Sequence, residues 1–178
     1  RRRANRVDLT SNGTRFRIGS TTDIGLVRQY NEDNFYVFDE GTSFTELGLL
    51  VAVADGMGGH NGGDVASQVA VNTVAAYYST RRKDAPIDRL ISSVEQANRQ
   101  IFDISQENEG FYGMGTTLTT MVIRGHEAYI AHVGDSRAYL LRDGRLTQIT
   151  RDHSVAEELV QRGELRREEA ASHPSANR

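Results

Sequence analysis

Several carboxylates stand where a folded chain solvates them poorly. Glu32 and Asp33 open an aromatic-rich segment, and Asp55 closes the apolar run Leu47 to Ala54. Asp135 closes a second apolar stretch, within Val133-Gly134-Asp135-Ser136-Arg137. A carboxylate at the end of a buried strand needs a hydrogen-bond donor, a cation or a metal. Any one of these positions alone is explained by a cap or a salt bridge. Together, with no basic cluster to neutralise them, they point to a divalent cation. Oxygen-only ligands favour Mg2+ or Mn2+ over zinc.

The loop Gly56-Met57-Gly58-Gly59-His60-Asn61-Gly62-Gly63 follows Asp55 directly. Such glycines let backbone N–H and C=O groups approach a ligand, or simply make a tight turn into a helix. No Gly-Lys-Ser/Thr follows, so it is not a Walker loop. Arg28 precedes Glu32 and Asp33, where it either forms a salt bridge or, with cations on the carboxylates, grips a phosphate in its planar fork. His60 is a candidate proton donor near neutral pH. His126, His132, His153 and His173 lack ligand spacing, and His132 alternates with Ile130 as a core residue would. Gly134-Asp135-Ser136-Arg137-Ala138 falls short of a nucleophile elbow, which needs glycine in place of Ala138 and a strand-to-helix turn.

The elements that must carry these residues follow from periodicity. Arg1 to Arg17 is polar and arginine-rich, and a flexible leader over residues 1–14 is expected. Strands are expected near Phe16–Thr21 and Asn34–Phe38, with a hairpin connection over Glu40–Glu46. Leu47–Ala54 is almost continuously apolar, as in a strand buried on both faces. Val65, Val69, Thr73 and Tyr77 recur every four residues after Asp64, which can cap a helix or sit favourably at its positive end. Pro86 opens a second helix with the stripe Ile87, Leu90, Val94, Ala97, Ile101 and Ile104, and Gly110 stops it. Thr116–Ile123, Ala128–Val133, Arg137–Leu141 and Leu146–Ile149 read as hairpin-linked strands, with Asp143-Gly144 as a tight turn. From His153 the chain is helical and charged, and His173 to Arg178 is a polar tail. Strands, two long helices, then more strands describe an α+β layered protein.

Composition narrows the chemistry. The 178 residues contain no cysteine, which excludes disulfides, thiolate zinc sites and a cysteine nucleophile. The net charge of −3 gives no support to nucleic-acid binding. The longest aliphatic run, Leu49–Ala54, is far short of the ~20 residues of a membrane helix. The first residue is Arg1, so a processed start or a longer parent chain is expected.

The motifs taken in order resemble the metal-dependent PP2C-type (PPM) serine/threonine protein phosphatases. Thr22-Asp23-Ile24-Gly25, Arg28 and Asn31-Glu32-Asp33 resemble the family's first motif, and Ala54-Asp55-Gly56-Met57-Gly58-Gly59-His60 its second, in bacterial form. Gly113-Met114-Gly115-Thr116-Thr117 and Val133-Gly134-Asp135-Ser136-Arg137 resemble two further motifs. Leu146-Thr147-Gln148-Ile149-Thr150 with Asp152-His153 resembles the approach to the flap.

The resemblance, over residues 15–178, implies an αββα sandwich of two antiparallel sheets flanked by helix pairs. It implies two Mn2+ or Mg2+ ions, with a third at Asp135. Asp55 would bridge the two metals, Gly56 would lend its carbonyl, Asp33 would bind directly or through water, and Glu32 would stand behind them. Arg28 would hold the substrate phosphate. Family members of eukaryotic type carry a histidine, the general acid, where Met57 stands; His60 is the nearest replacement.

The implied reaction is hydrolysis of phosphoserine and phosphothreonine on proteins by a metal-bridging hydroxide. It would oppose a bacterial Ser/Thr kinase, with the protein monomeric and cytoplasmic, or the cytoplasmic domain of a larger protein. The family's C-terminal metal-binding aspartates have no counterpart after Asp152. A fragment ending in the flap region, nearly inactive alone, is therefore the expectation. The alternative is a catalytically inactive PPM-like module that binds phosphoproteins; a metal-binding sensor domain is a more distant one.

Overall fold

The computed structural model describes residues 3–11, 14–37, 47–58, 62–80 and 83–170. The expected connection at Glu40–Glu46 and the polar tail from His173 lie outside them.

A mixed-order antiparallel sheet forms the centre. It comprises β3 (Asp33–Val37), β4 (Leu49–Met57), β6 (Leu118–Arg124) and β7 (Glu127–Val133), hydrogen-bonded in that order, with the two-residue β5 (Gly115–Thr116) extending the end of β4. Apolar surface from two helices covers one face. Helix α1 (Gly62–Thr80) lays Ala70, Val71, Val74 and Tyr78 against Leu50, Ala52 and Ala54 of β4, and α2 (Pro86–Glu107) adds Leu90 and Ala97. Val94 and Ile101 of the expected α2 stripe join this core, whereas Ile87 at its start is 40% exposed. Asp64 lies in the first turn of α1, so it complements the helix's positive end from within.

The other face of the sheet carries the clearest departure from the sequence reading. The segment expected to be a flexible leader forms β1 (Arg3–Ser11), paired residue for residue with β2 (Thr14–Thr22). Val7 pairs with Ile18 and Leu9 with Phe16, and these residues pack on Leu49, Val51 and Ile123. Arg6, Asp8, Arg15 and Arg17 alternate with them and point outward. The arginines dominate the composition, but the period of two is that of a half-buried strand.

This hairpin covers only the first half of β4, which corrects the expectation of two buried faces. Leu49 and Leu50 are both buried; beyond them Ala52, Ala54 and Gly56 stay buried under α1 while Val53, Asp55 and Met57 face an open side. The result is a helix–sheet–sheet layering, α+β as expected. Among the described residues the remaining helices are short: α3 (Val155–Gln161) and α4 (Arg167–Ala170). Strands β8 (Tyr139–Arg142) and β9 (Arg145–Gln148) form their own hairpin. Its turn, Asp143-Gly144, has φ of 51° and 74°, the left-handed pair that the Asp-Gly signal predicts.

Candidate metal centre

The register of β3 on β4 sets the site: Asp33 stands directly opposite Asp55. Their negative charges bear on each other across the two strands. The Asp55 carboxyl is raised above its ordinary range by partial burial at the strand end, by the charges of Asp33 and Asp135, and by the hydrogen bond its protonated form can make to Asp33; Arg28 opposes these effects. Carboxylates in this relation share a proton or a cation.

The backbone beside Asp55 is packed with no room to spare. The Gly56 N–H donates to the Glu32 carbonyl at 3.1 Å, and that carbonyl also accepts from Ser67 Oγ at 2.5 Å. A methyl group on Gly56 would lie 2.0 Å from the Gly63 carbonyl oxygen, and one on Gly63 would lie 2.7 Å from Glu32 Oε1. The glycines flanking this loop thus serve close packing of β4, α1 and the Glu32 loop. Asn34 reinforces the junction, donating to Ser67 Oγ at 2.9 Å and Asp64 Oδ1 at 3.3 Å.

Arg28 donates to Glu32 four residues on, so the salt bridge foreseen in the sequence forms. Its side chain nevertheless remains 68% exposed while Glu32 is only 12% exposed. Glu32 therefore anchors a guanidinium that itself stays largely exposed. Asp135 acts on Asp55 through its charge. His60 lies outside the described residues.

Among the described residues no three His, Asp or Glu side chains already converge as a metal cage. What the site offers is oxygen throughout: two facing carboxylates, a third nearby and the backbone of Gly56. Such hard donors suit Mg2+ or Mn2+, and a cation would offset the mutual repulsion that raises Asp55.

A separate cleft of about 750 Å3 lies between β9 and the short helices, lined by residues including Arg137, Gln148, Asp152, Glu157 and Arg167. Its acids are already engaged. Arg137 shares its single Nε–H between the two Asp152 carboxylate oxygens, each at 3.0 Å, and donates a terminal N–H to one of them at 2.6 Å, while Glu157 accepts from Arg167. The hydrogen bonds from Arg137 hold the Asp152 carboxyl below its usual range against the opposing effect of burial. A lowered folded-state value stabilises above the unfolded pKa near 4 and is lost as pH falls through the lowered value. Arg137→Ala is therefore expected to cost about 1 kcal/mol at neutral pH, a modest figure because Arg137 is half-exposed. Urea unfolding should show wild type and variant converging as pH falls below the ordinary carboxylate range and Asp152 protonates in both.

Thr117 is the residue that sequence reasoning passed over. It was legible only as part of Gly115-Thr116-Thr117, yet its hydroxyl accepts the Asp55 N–H at 2.9 Å and its own N–H donates to the Asp55 carbonyl at 2.9 Å.

The protein phosphatase 2C family profile matches residues 28–175. A putative protein phosphatase 2C-type from Streptococcus pyogenes is 39% identical over 164 residues, covering 90% of this chain and 65% of that protein. The crystal structure of the Mycobacterium tuberculosis serine/threonine phosphatase PstP/Ppp superposes with a TM-score of 0.71 at 36% identity, over 99% of this chain and 65% of that one. The catalytic domain of PstP in complex with two manganese ions gives a TM-score of 0.68 at 35% identity, over 96% and 63%. The chain thus spans a little under two thirds of the length of these relatives. With that family profile matched over residues 28–175, the greater part of its length, the chain belongs to the protein phosphatase 2C family.

Proposed function

We propose that the protein is a metal-dependent protein serine/threonine phosphatase. The observation that carries this reading is the Asp33–Asp55 pair, two carboxyls placed face to face at the open end of the central sheet. Asp33, Asp55 and the Gly56 carbonyl would hold the cations, with Asp135 serving a further, weaker one. The two manganese ions of the PstP catalytic domain support Mn2+ as the ion, with Mg2+ the other oxygen-loving choice. Two such cations, when bound, acidify a water and offset charge on the phosphoryl oxygens.

The chain's own residues do the rest. Arg28, exposed yet tethered by Glu32, directs its free donors at a phosphate oxygen in the open site. Glu32 fixes the guanidinium and, through its carbonyl, the Gly56 backbone. His60 is the candidate to protonate the leaving serine or threonine oxygen. No cysteine is present to form a phosphoenzyme, so attack by water in one step suits the composition. The substrates would be phosphorylated proteins, including those of a Ser/Thr kinase, and the setting the cytoplasm, with the protein a monomer. Among the described residues no helix is long and apolar enough to cross a membrane.

The test is Mn2+-dependent release of phosphate from p-nitrophenyl phosphate and from phosphothreonine peptides by the full-length protein. Turnover that EDTA abolishes and Mn2+ restores is expected; binding of phosphopeptide without turnover would replace the enzyme by a recognition module. Arg28→Ala is expected to raise KM for both substrates about tenfold or more, as loss of a charge-assisted contact of about 1.5–3 kcal/mol requires. An unchanged KM would remove Arg28 from the phosphate site.

A further inference from the structure

The ladder between β4 and the strand opposite it is broken at one place, beside Asp55. Val53 pairs with Thr119 on β6, and Gly56 pairs with Thr116 on β5. Between these pairs the register carries Asp55 opposite Thr117. Thr117 itself belongs to neither strand. Its N–H still donates to the Asp55 carbonyl, but the return bond is exchanged: the Asp55 N–H donates to the Thr117 side-chain hydroxyl, not to its backbone carbonyl. Thr116 Oγ donates to the Asp55 carbonyl at 3.0 Å and contacts the Thr117 carbonyl at 2.9 Å. A side chain has taken the place of a backbone acceptor at the residue that carries the central carboxylate.

The exchange gives the Thr117 hydroxyl a second task. Thr117 Oγ1 and Ser136 Oγ are 2.7 Å apart, and Ser136 follows Asp135. Since Thr117 Oγ1 already accepts from Asp55, its own hydrogen is free for Ser136. Gly134, on the other side of Asp135, presses onto the same threonine: with φ of 101°, a Cβ there would meet Thr117 Cγ2 at 2.7 Å and Cβ at 2.8 Å. Thr119 Oγ1 closes the arrangement by donating to the Ser136 carbonyl at 3.3 Å, with His132 Nδ1 beside it at 2.8 Å. Both flanks of Asp135 are thus seated on threonines of the segment that faces Asp55, Thr117 at the break and Thr119 on β6.

We infer that Thr117 is a positioning residue that sets Asp55 and Asp135 at a fixed separation and so assembles the cation site. It touches neither substrate nor cation; it acts through the backbone of Asp55 and the loop that carries Asp135. Partners that orient metal ligands typically govern affinity by ten- to a hundredfold. This inference rests on the metal reading given above.

The test is titration of Mn2+ into the metal-free full-length protein, by calorimetry and by the loss of the free Mn2+ electron-spin signal. Thr117→Val keeps the shape and removes the hydroxyl, and it is expected to weaken Mn2+ binding by about ten- to a hundredfold. Thr117→Ser, which restores the hydroxyl, is expected to recover most of that loss, a rescue that a packing role alone would not give. Should Thr117→Val fail to fold cooperatively, Thr117→Ala removes the hydroxyl without adding a methyl, and Thr117→Ser, which also lacks the Cγ2 methyl but keeps the hydroxyl, is its control. Wild-type affinity in Thr117→Val, alongside loss in Asp55→Asn, would overturn the inference and keep the metal site. Absence of Mn2+ binding by the wild-type protein would overturn both.

Discussion

Asp55→Asn is expected to abolish Mn2+-dependent phosphatase activity while leaving the metal-free protein at least as stable as wild type. The loss should be at least about 10²-fold, the scale on which groups that organise charge in a reacting site are felt. The stability half follows from the raised Asp55 carboxyl. A carboxyl whose folded-state pKa lies above its unfolded value destabilises the folded state once it ionises, so its cost is full at neutral pH and is lost as pH falls through the raised value to the ordinary one. An amide of the same shape removes that cost. Less than about 1 kcal/mol is recoverable, because Asp55 faces the open side and solvent screens it. The melting temperature without metal should therefore rise by up to about 2–4 °C. With Mn2+ the order should reverse, since only wild type gains stability from binding. Retained turnover, or a melting temperature that responds to Mn2+ as wild type does, would remove Asp55 from the metal site.

Gly56→Ala is expected to be the most damaging single methyl in the described molecule's site. The new Cβ would stand 2.0 Å from the Gly63 oxygen, 2.4 Å from its carbonyl carbon and 2.7 Å from the Glu32 oxygen. All are backbone atoms, so no side chain can swing aside, and α1 must move relative to β4. Overpacking of this kind costs about 3 kcal/mol, which corresponds to a fall of roughly 6–12 °C in melting temperature for a chain of this size. The same shift would turn the Gly56 carbonyl and weaken Mn2+ binding. Gly110→Ala is the control: a Cβ there meets nothing within 4 Å, and no comparable fall is expected. A melting temperature for Gly56→Ala close to wild type would show that α1 is not clamped on this loop.

The chemistry-bearing residues announce themselves in the chain. Asp55 stands at the end of an apolar run and before glycines, Asp135 in a second such junction, and Arg28 close before Glu32 and Asp33. Local signals of this kind survive in sequence because they depend on neighbours within a few positions. The fourfold spacing behind Asp64, the proline that opens α2 and the Asp143-Gly144 turn belong to the same class, and the structure carries all of them. The N-terminal hairpin was obscured because its outward arginines outweigh Val7, Leu9, Phe16 and Ile18 in composition, although the alternation was there to be read. The two-faced burial expected of β4 holds only as far as that hairpin reaches, which no property of β4 itself could reveal.

What the chain alone determined, then, is a cysteine-free α+β domain with carboxylates and glycines in an order that marks its family. Tertiary structure decided what those residues face. Asp33 meets Asp55 only through the register of β3 on β4, Arg28 rests on Glu32 only because the intervening loop closes back on itself, and Thr117 reaches both Asp55 and Ser136 only where the strand ladder is interrupted. Periodicity is written in adjacent residues, whereas register is set by the packing of whole strands, and a slip of one position would turn each of these side chains to the opposite face.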